Sequence, residues 1–123
     1  MKAGEENSLI VLVLANSGLT YEKSERVCKM LIEQGANVNL ITNLQSPLFI
    51  LLYRNYRHPI ESLLELFIEK GADVNFIFRG TKTPLDLITH YLSSENELLK
   101  NKAIKINNLL RAKGAKLFTE LEK

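Results

Sequence analysis

The sequence holds little of what most chemistry requires. Cys28 is the single cysteine among 123 residues, so an internal disulfide is excluded, and the lone thiol fits a reducing compartment, read here as the cytoplasm. With only His58 and His90 beside it, no Cys/His cluster supplies the four ligands of a structural zinc. Long hydrophobic runs are missing as well. Residues 9–15 are apolar, but they fall far short of the roughly 20 residues that span a bilayer, and Glu5 and Glu6 precede them where a signal peptide carries positive charge. That stretch is expected to be a buried helix. Sixteen basic residues against 14 acidic ones leave a formal charge of +2, too even for the broad positive field that nucleic-acid binding draws on. Neither a nucleic acid nor a membrane is therefore expected as a partner.

Phosphate-cradling loops of the Gly-x-x-x-x-Gly-Lys or Gly-x-Gly-x-x-Gly type are absent from the sequence. Nothing pairs a nucleophile with a base, since the two histidines lie in different parts of the chain and Cys28 falls beside an apolar helical stripe. The expectation is a non-enzyme with no cofactor, no metal and no catalytic residue. What is present is ordinary for a soluble single domain: 46% hydrophobic and 24% charged residues, six Gly and three Pro.

Laying the chain on itself exposes a repeat. Leu31-Ile32-Glu33-Gln34-Gly35-Ala36-Asn37-Val38-Asn39 matches Phe67-Ile68-Glu69-Lys70-Gly71-Ala72-Asp73-Val74-Asn75, with Gly35 and Gly71 36 residues apart. A weaker copy, Leu109-Leu110-Arg111-Ala112-Lys113-Gly114-Ala115-Lys116-Leu117, follows after 43 residues. Between them Ser46-Pro47-Leu48 and Thr83-Pro84-Leu85 recur at a spacing of 37. A hydroxyl residue followed by Pro is a physically sound helix opening, because the side-chain oxygen takes up a free amide and Pro tolerates the first helical position. Gly closes a helix by adopting the left-handed conformation.

The order cap, helix, helix, Gly and extended segment predicts helices over residues 8–16 and 21–34, 46–55 and 59–70, 83–92 and 95–113. In this reading Pro59 is a first-turn residue and 118–123 form a short amphipathic cap with Phe118 and Leu121 turned inward. Apolar stripes support the outer helices: Val27, Met30 and Leu31; Ile60, Leu63, Leu64 and Phe67; Ile106, Leu109 and Leu110. The inter-helix segments are long, most of all over 93–101.

These landmarks resemble the Thr-Pro-Leu-His and Gly-Ala-Asp-Val-Asn signatures of ankyrin repeats, whose period is about 33. Phe49 and Asp86 stand where that family usually has His. The resemblance implies an all-α fold, an ankyrin-type solenoid of about three helix-turn-helix repeats linked by extended β-hairpin-like fingers. It implies one domain over 1–123, with repeat one and the N-terminal cap at 5–39, repeat two at 40–75, and repeat three with the C-terminal cap at 76–123.

It further implies that the chain binds another protein through a concave face of fingers and inner helices. The exposed positions would be Thr42, Asn43, Gln45, Tyr53 and Arg54 in the second repeat, and Ile77, Phe78, Arg79, Lys82, His90 and Tyr91 in the third. Tyr and Arg are enriched among residues that dominate interfaces. Phe76 and Phe78 put two aromatics on one finger, to be packed beneath it or left open to a partner. Two alternatives stay open: a dedicated inhibitor or immunity-type protein covering a toxin or enzyme, and a structural protein that self-associates through the exposed finger or incomplete caps. A monomer or weak homo-oligomer fits the sequence.

Overall fold

The computed structural model describes residues 8–16, 18–42 and 44–121. It is predominantly helical, and its β-pairing among the described residues is limited to two isolated antiparallel bridges, Thr42 with Gln45 and Phe78 with Lys82. The chain divides into two compact units, Met1–Ala72 and Asp73–Lys123. The first holds α1 (Leu9–Ala15), α2 (Tyr21–Glu33), α3 (Pro47–Asn55) and α4 (Glu61–Glu69); the second holds α5 (Pro84–Leu92), α6 (Glu97–Ala112) and α7 (Phe118–Leu121).

Side-chain caps decide where most of these helices start. The side-chain oxygens of Ser8, Thr20, Ser46 and Thr83 accept the amide protons of Val11, Lys23, Phe49 and Asp86, and Pro47 and Pro84 occupy the first helical positions. Each such bond satisfies one of the free donors at a helix start. α4 departs from the sequence expectation. Pro59 precedes the helix instead of opening it, because His58 N–H binds the Asn55 carbonyl (2.9 Å) and Ile60 N–H binds the His58 carbonyl (2.8 Å), a tight turn that spends Pro59 on the bend. Ile60, which makes no side-chain capping bond, flanks the helix start, and Glu61 is its first residue.

Helix ends are set by glycine. Gly35, Gly71 and Gly114 have φ of 93°, 88° and 88°, and each makes the same pair of bonds. The glycine N–H returns to Ile32, Ile68 or Arg111 (3.0 Å in all three), and the following alanine N–H returns to Leu31, Phe67 or Leu110 (2.9–3.0 Å). This is the Schellman closure. The next residues then tie one copy to another: Asn39 Nδ2 donates to the Gly71 carbonyl (2.9 Å), and Asn75 Nδ2 donates to the Gly114 carbonyl (3.1 Å).

In Met1–Ala72, α1 packs on both α2 and α3, and α3 packs on α4. The first six residues of α3, Pro47, Leu48, Phe49, Ile50, Leu51 and Leu52, are apolar and all buried. Burying each of the larger side chains contributes about 1.5–3 kcal/mol. Phe49, standing where a hydrogen-bonding His was the family expectation, is completely buried and acts by packing. Asn55 is buried too, and its Nδ2 reaches the Leu14 carbonyl at the end of α1 (3.2 Å).

In Asp73–Lys123, α5 packs on α6 through Leu85, Ile88, Ala103, Ile106 and Leu110. Asp86 completes a capping box with Thr83, whose N–H it binds at 2.8 Å. The same carboxylate accepts the Phe118 N–H (3.0 Å), so it also fixes the first residue of α7. Phe118 and Leu121 are half-buried, and residues 122–123 of the expected cap lie outside the described residues. The helix expected over 95–113 is found at Glu97–Ala112, capped by Asn96, so of the long inter-helix segment over 93–101 only 93–96 is connection.

Candidate interaction surfaces

Two short loops and two helix ends carry the residues that sequence reasoning singled out. In the first loop Thr42 and Gln45 exchange both backbone bonds (3.0 and 3.1 Å), which forces a tight reversal. Thr42 itself does not fit the expected exposed contact. It is buried, and its Oγ1 accepts the Ser8 N–H at 2.6 Å, so its hydroxyl serves the start of α1, 34 residues away in sequence. Asn43 lies outside the described residues, and Gln45 is half-buried.

Among the described residues the loop's exposed side chains are Ile41 and Leu44, the latter 66% exposed and held at φ 65°. Neither was picked out from sequence. A Leu in the left-handed region goes against its own preference, and here it lies inside the loop closed by Thr42 and Gln45.

The second loop is closed by Phe78 N–H on the Lys82 carbonyl (2.7 Å) and Lys82 N–H on the Phe78 carbonyl (3.3 Å). Gly80 supplies one left-handed residue (φ 74°), but Arg79 supplies another (φ 51°). That backbone places the Arg79 guanidinium 5.2 Å from the centre of the Phe78 ring, a cation–π distance. Phe76 and Phe78 are both half-buried, whereas Ile77, Arg79 and Lys82 are exposed.

On α3, Tyr53 is exposed and stacks on buried Phe49 with ring centres 6.1 Å apart, and Arg54 beside it is exposed. On α5, exposed His90 meets half-buried Tyr91 edge to face at 5.2 Å. Thus Thr42, Gln45, Tyr53 and Arg54 belong to one unit, and Ile77, Phe78, Arg79, Lys82, His90 and Tyr91 to the other.

The reactive residue types are occupied structurally. Cys28 is completely buried, and burial, with the charge of Glu25 as the smaller cause, pushes its thiol up to about 12. His58 lies flat on Tyr21, the rings 5.1 Å apart and 4° from parallel. The Tyr21 hydroxyl is buried with no hydrogen-bond partner among the described residues; burial first, then Glu25, holds it well above the ordinary tyrosine range. These rings border a cleft of about 350 Å³ that Arg54, Asn55 and Thr20 also line. Among the described residues no group of three or more His, Cys, Asp or Glu is placed to hold a metal ion, and no helix is long and apolar enough to cross a membrane. Comparison with protein-family models and with curated proteins gives no match to this chain.

Proposed function

We propose that this chain is a protein-interaction module of the ankyrin-repeat kind, a solenoid of helix pairs whose loops are the fingers of that architecture and whose loops and inner helices present the binding residues. The three identical glycine closures and the asparagine links that follow them support the architectural half of this reading. One observation carries the functional half. Both loops hold a large, exposed, non-glycine residue in the left-handed backbone region, Leu44 at 65° and Arg79 at 51°. Backbone strain of that kind costs about 1–3 kcal/mol and persists where the surroundings over-determine it, often at binding sites. A freely varying surface loop would shed the cost by placing Gly or Asn there.

The first test is affinity capture with the wild-type chain beside Leu44→Gly, Arg79→Gly and Tyr53→Ala/Tyr91→Ala variants. The glycine changes relieve strain, so these variants should melt at or above the wild-type temperature while losing the side chain. A partner retained by the wild type and lost by folded loop variants is the expected result. A partner held equally by all of them would sink the assignment of binding to these loops and helix ends.

A further inference from the structure

The cleft of about 350 Å³ in Met1–Ala72 lies where the end of α1, the start of α2 and the end of α3 meet. Two buried side chains in its lining carry an oxygen that bonds to nothing among the described residues. Ser24 is 3% exposed, and its Oγ lacks even the bond to the carbonyl four residues back that Thr89 makes to Leu85 (2.9 Å). Asn55 is 8% exposed. Its Nδ2 donates to the Leu14 and Ile50 carbonyls (3.2 and 3.4 Å), which only accept, so the amide is oriented and Oδ1 is left over. Among the described residues the one side-chain polar atom both wholly covered and without a partner is the Tyr21 hydroxyl. The Ser24 and Asn55 oxygens are therefore reached from outside, and the cleft is the opening that both residues line. Buried polar groups without partners are uncommon, and two at one opening mark a place where a ligand supplies the bonds.

The chemistry of the lining selects that ligand. Asn55 Oδ1 only accepts, the Ser24 hydroxyl can donate, and exposed Arg54 donates and carries charge. A carboxylate or phosphate would set its oxygens against Asn55 Oδ1. An ammonium or guanidinium would meet Arg54, and among the described residues no acidic side chain lines the cleft to hold it. An uncharged primary amide satisfies all three groups: its N–H donates to Asn55 Oδ1, and its carbonyl accepts from the Ser24 hydroxyl and the Arg54 guanidinium. We infer that this cleft is a site for a primary amide, the side chain of a glutamine or asparagine carried by a protein partner. The partner as source rests on the interaction-module reading above, and a volume at the small end of ligand pockets suits a single side chain.

The test is an NMR titration of the isotope-labelled full chain with N-acetylglutamine methylamide, up to about 100 mM. The Ser24 backbone amide and the Asn55 side-chain amide should shift together and saturate with a Kd of about 10 mM, as two or three hydrogen bonds from one side chain allow. The isosteric N-acetylglutamate methylamide should bind about fivefold more weakly or worse. Ser24→Ala removes no bond among the described residues, so it should melt as the wild type does and weaken the amide about fivefold. Should it fail to fold, Arg54→Ala, at an exposed position, replaces it with an expected loss of about threefold. Absence of saturable shifts, equal binding of the glutamate derivative, or unchanged affinity in the folded variant would each overturn the proposal. So would tighter binding of free glutamine, which would make the site one for the amino acid itself. Neither Leu44 nor Arg79 lines the cleft, so the interaction-module reading fails separately, in the capture experiment with the loop variants.

Discussion

Cys28 sits in the middle of α2 with no access to solvent, and its thiol keeps its proton up to about 12. In the unfolded chain the same thiol titrates at its ordinary value of 9.0. Between those values the folded state binds the extra proton, so the stability it carries is complete below the unfolded value and is lost as pH rises through the window toward 12. Urea midpoints measured between about pH 8 and about pH 10 should fall more steeply for the wild type than for Cys28→Ala. Parallel curves would remove the thiol from the pH dependence. Residue by residue, the sequence exposed what depends on near neighbours. The apolar character around Cys28 was legible from helical spacing. Thr42 was not, because the amide that buries it belongs to Ser8. Leu44 and Ile41 escaped notice because nothing in their identity signals a left-handed turn, and at Leu44 that turn lies inside the loop closed by Thr42 and Gln45.

Helices began and ended where short-range chemistry dictates, which is why the openings at Ser46-Pro47 and Thr83-Pro84 and the closures at Gly35, Gly71 and Gly114 could be read from residue type alone. α4 was misjudged at its start because Pro59 fits a first-turn position as readily as a bend, and the choice rests on the backbone bonds of His58 and Ile60. α6 was expected over 95–113 and runs Glu97–Ala112, its start set within the polar, charged stretch by the Asn96 cap. The closures give the sharpest test at this scale. Gly71 has φ 88° with open space where a Cβ would project, so Gly71→Ala meets no clash and its cost is the backbone's alone. Chemical denaturation should show a loss of about 1–2 kcal/mol. An unchanged midpoint would mean that the left-handed closure contributes nothing to holding α4.

Across the chain, one plan is executed at two lengths. The glycines are spaced 36 and then 43 residues apart, yet the closures at Gly71 and Gly114 are the same and both receive an asparagine from the preceding copy. α4 has 9 residues and α6 has 16, so the outer helix alone matches the difference in spacing. Seven residues are about two turns and return a helix face to within about 20° of where it began. A seven-residue deletion within 96–102 should therefore keep the cooperative melt. Removing five from the same stretch rotates the point of chain entry by about 140° and should abolish it. Length in this chain comes in quanta set by helical phase, and the chain can grow or shrink between its caps and closures only by whole steps.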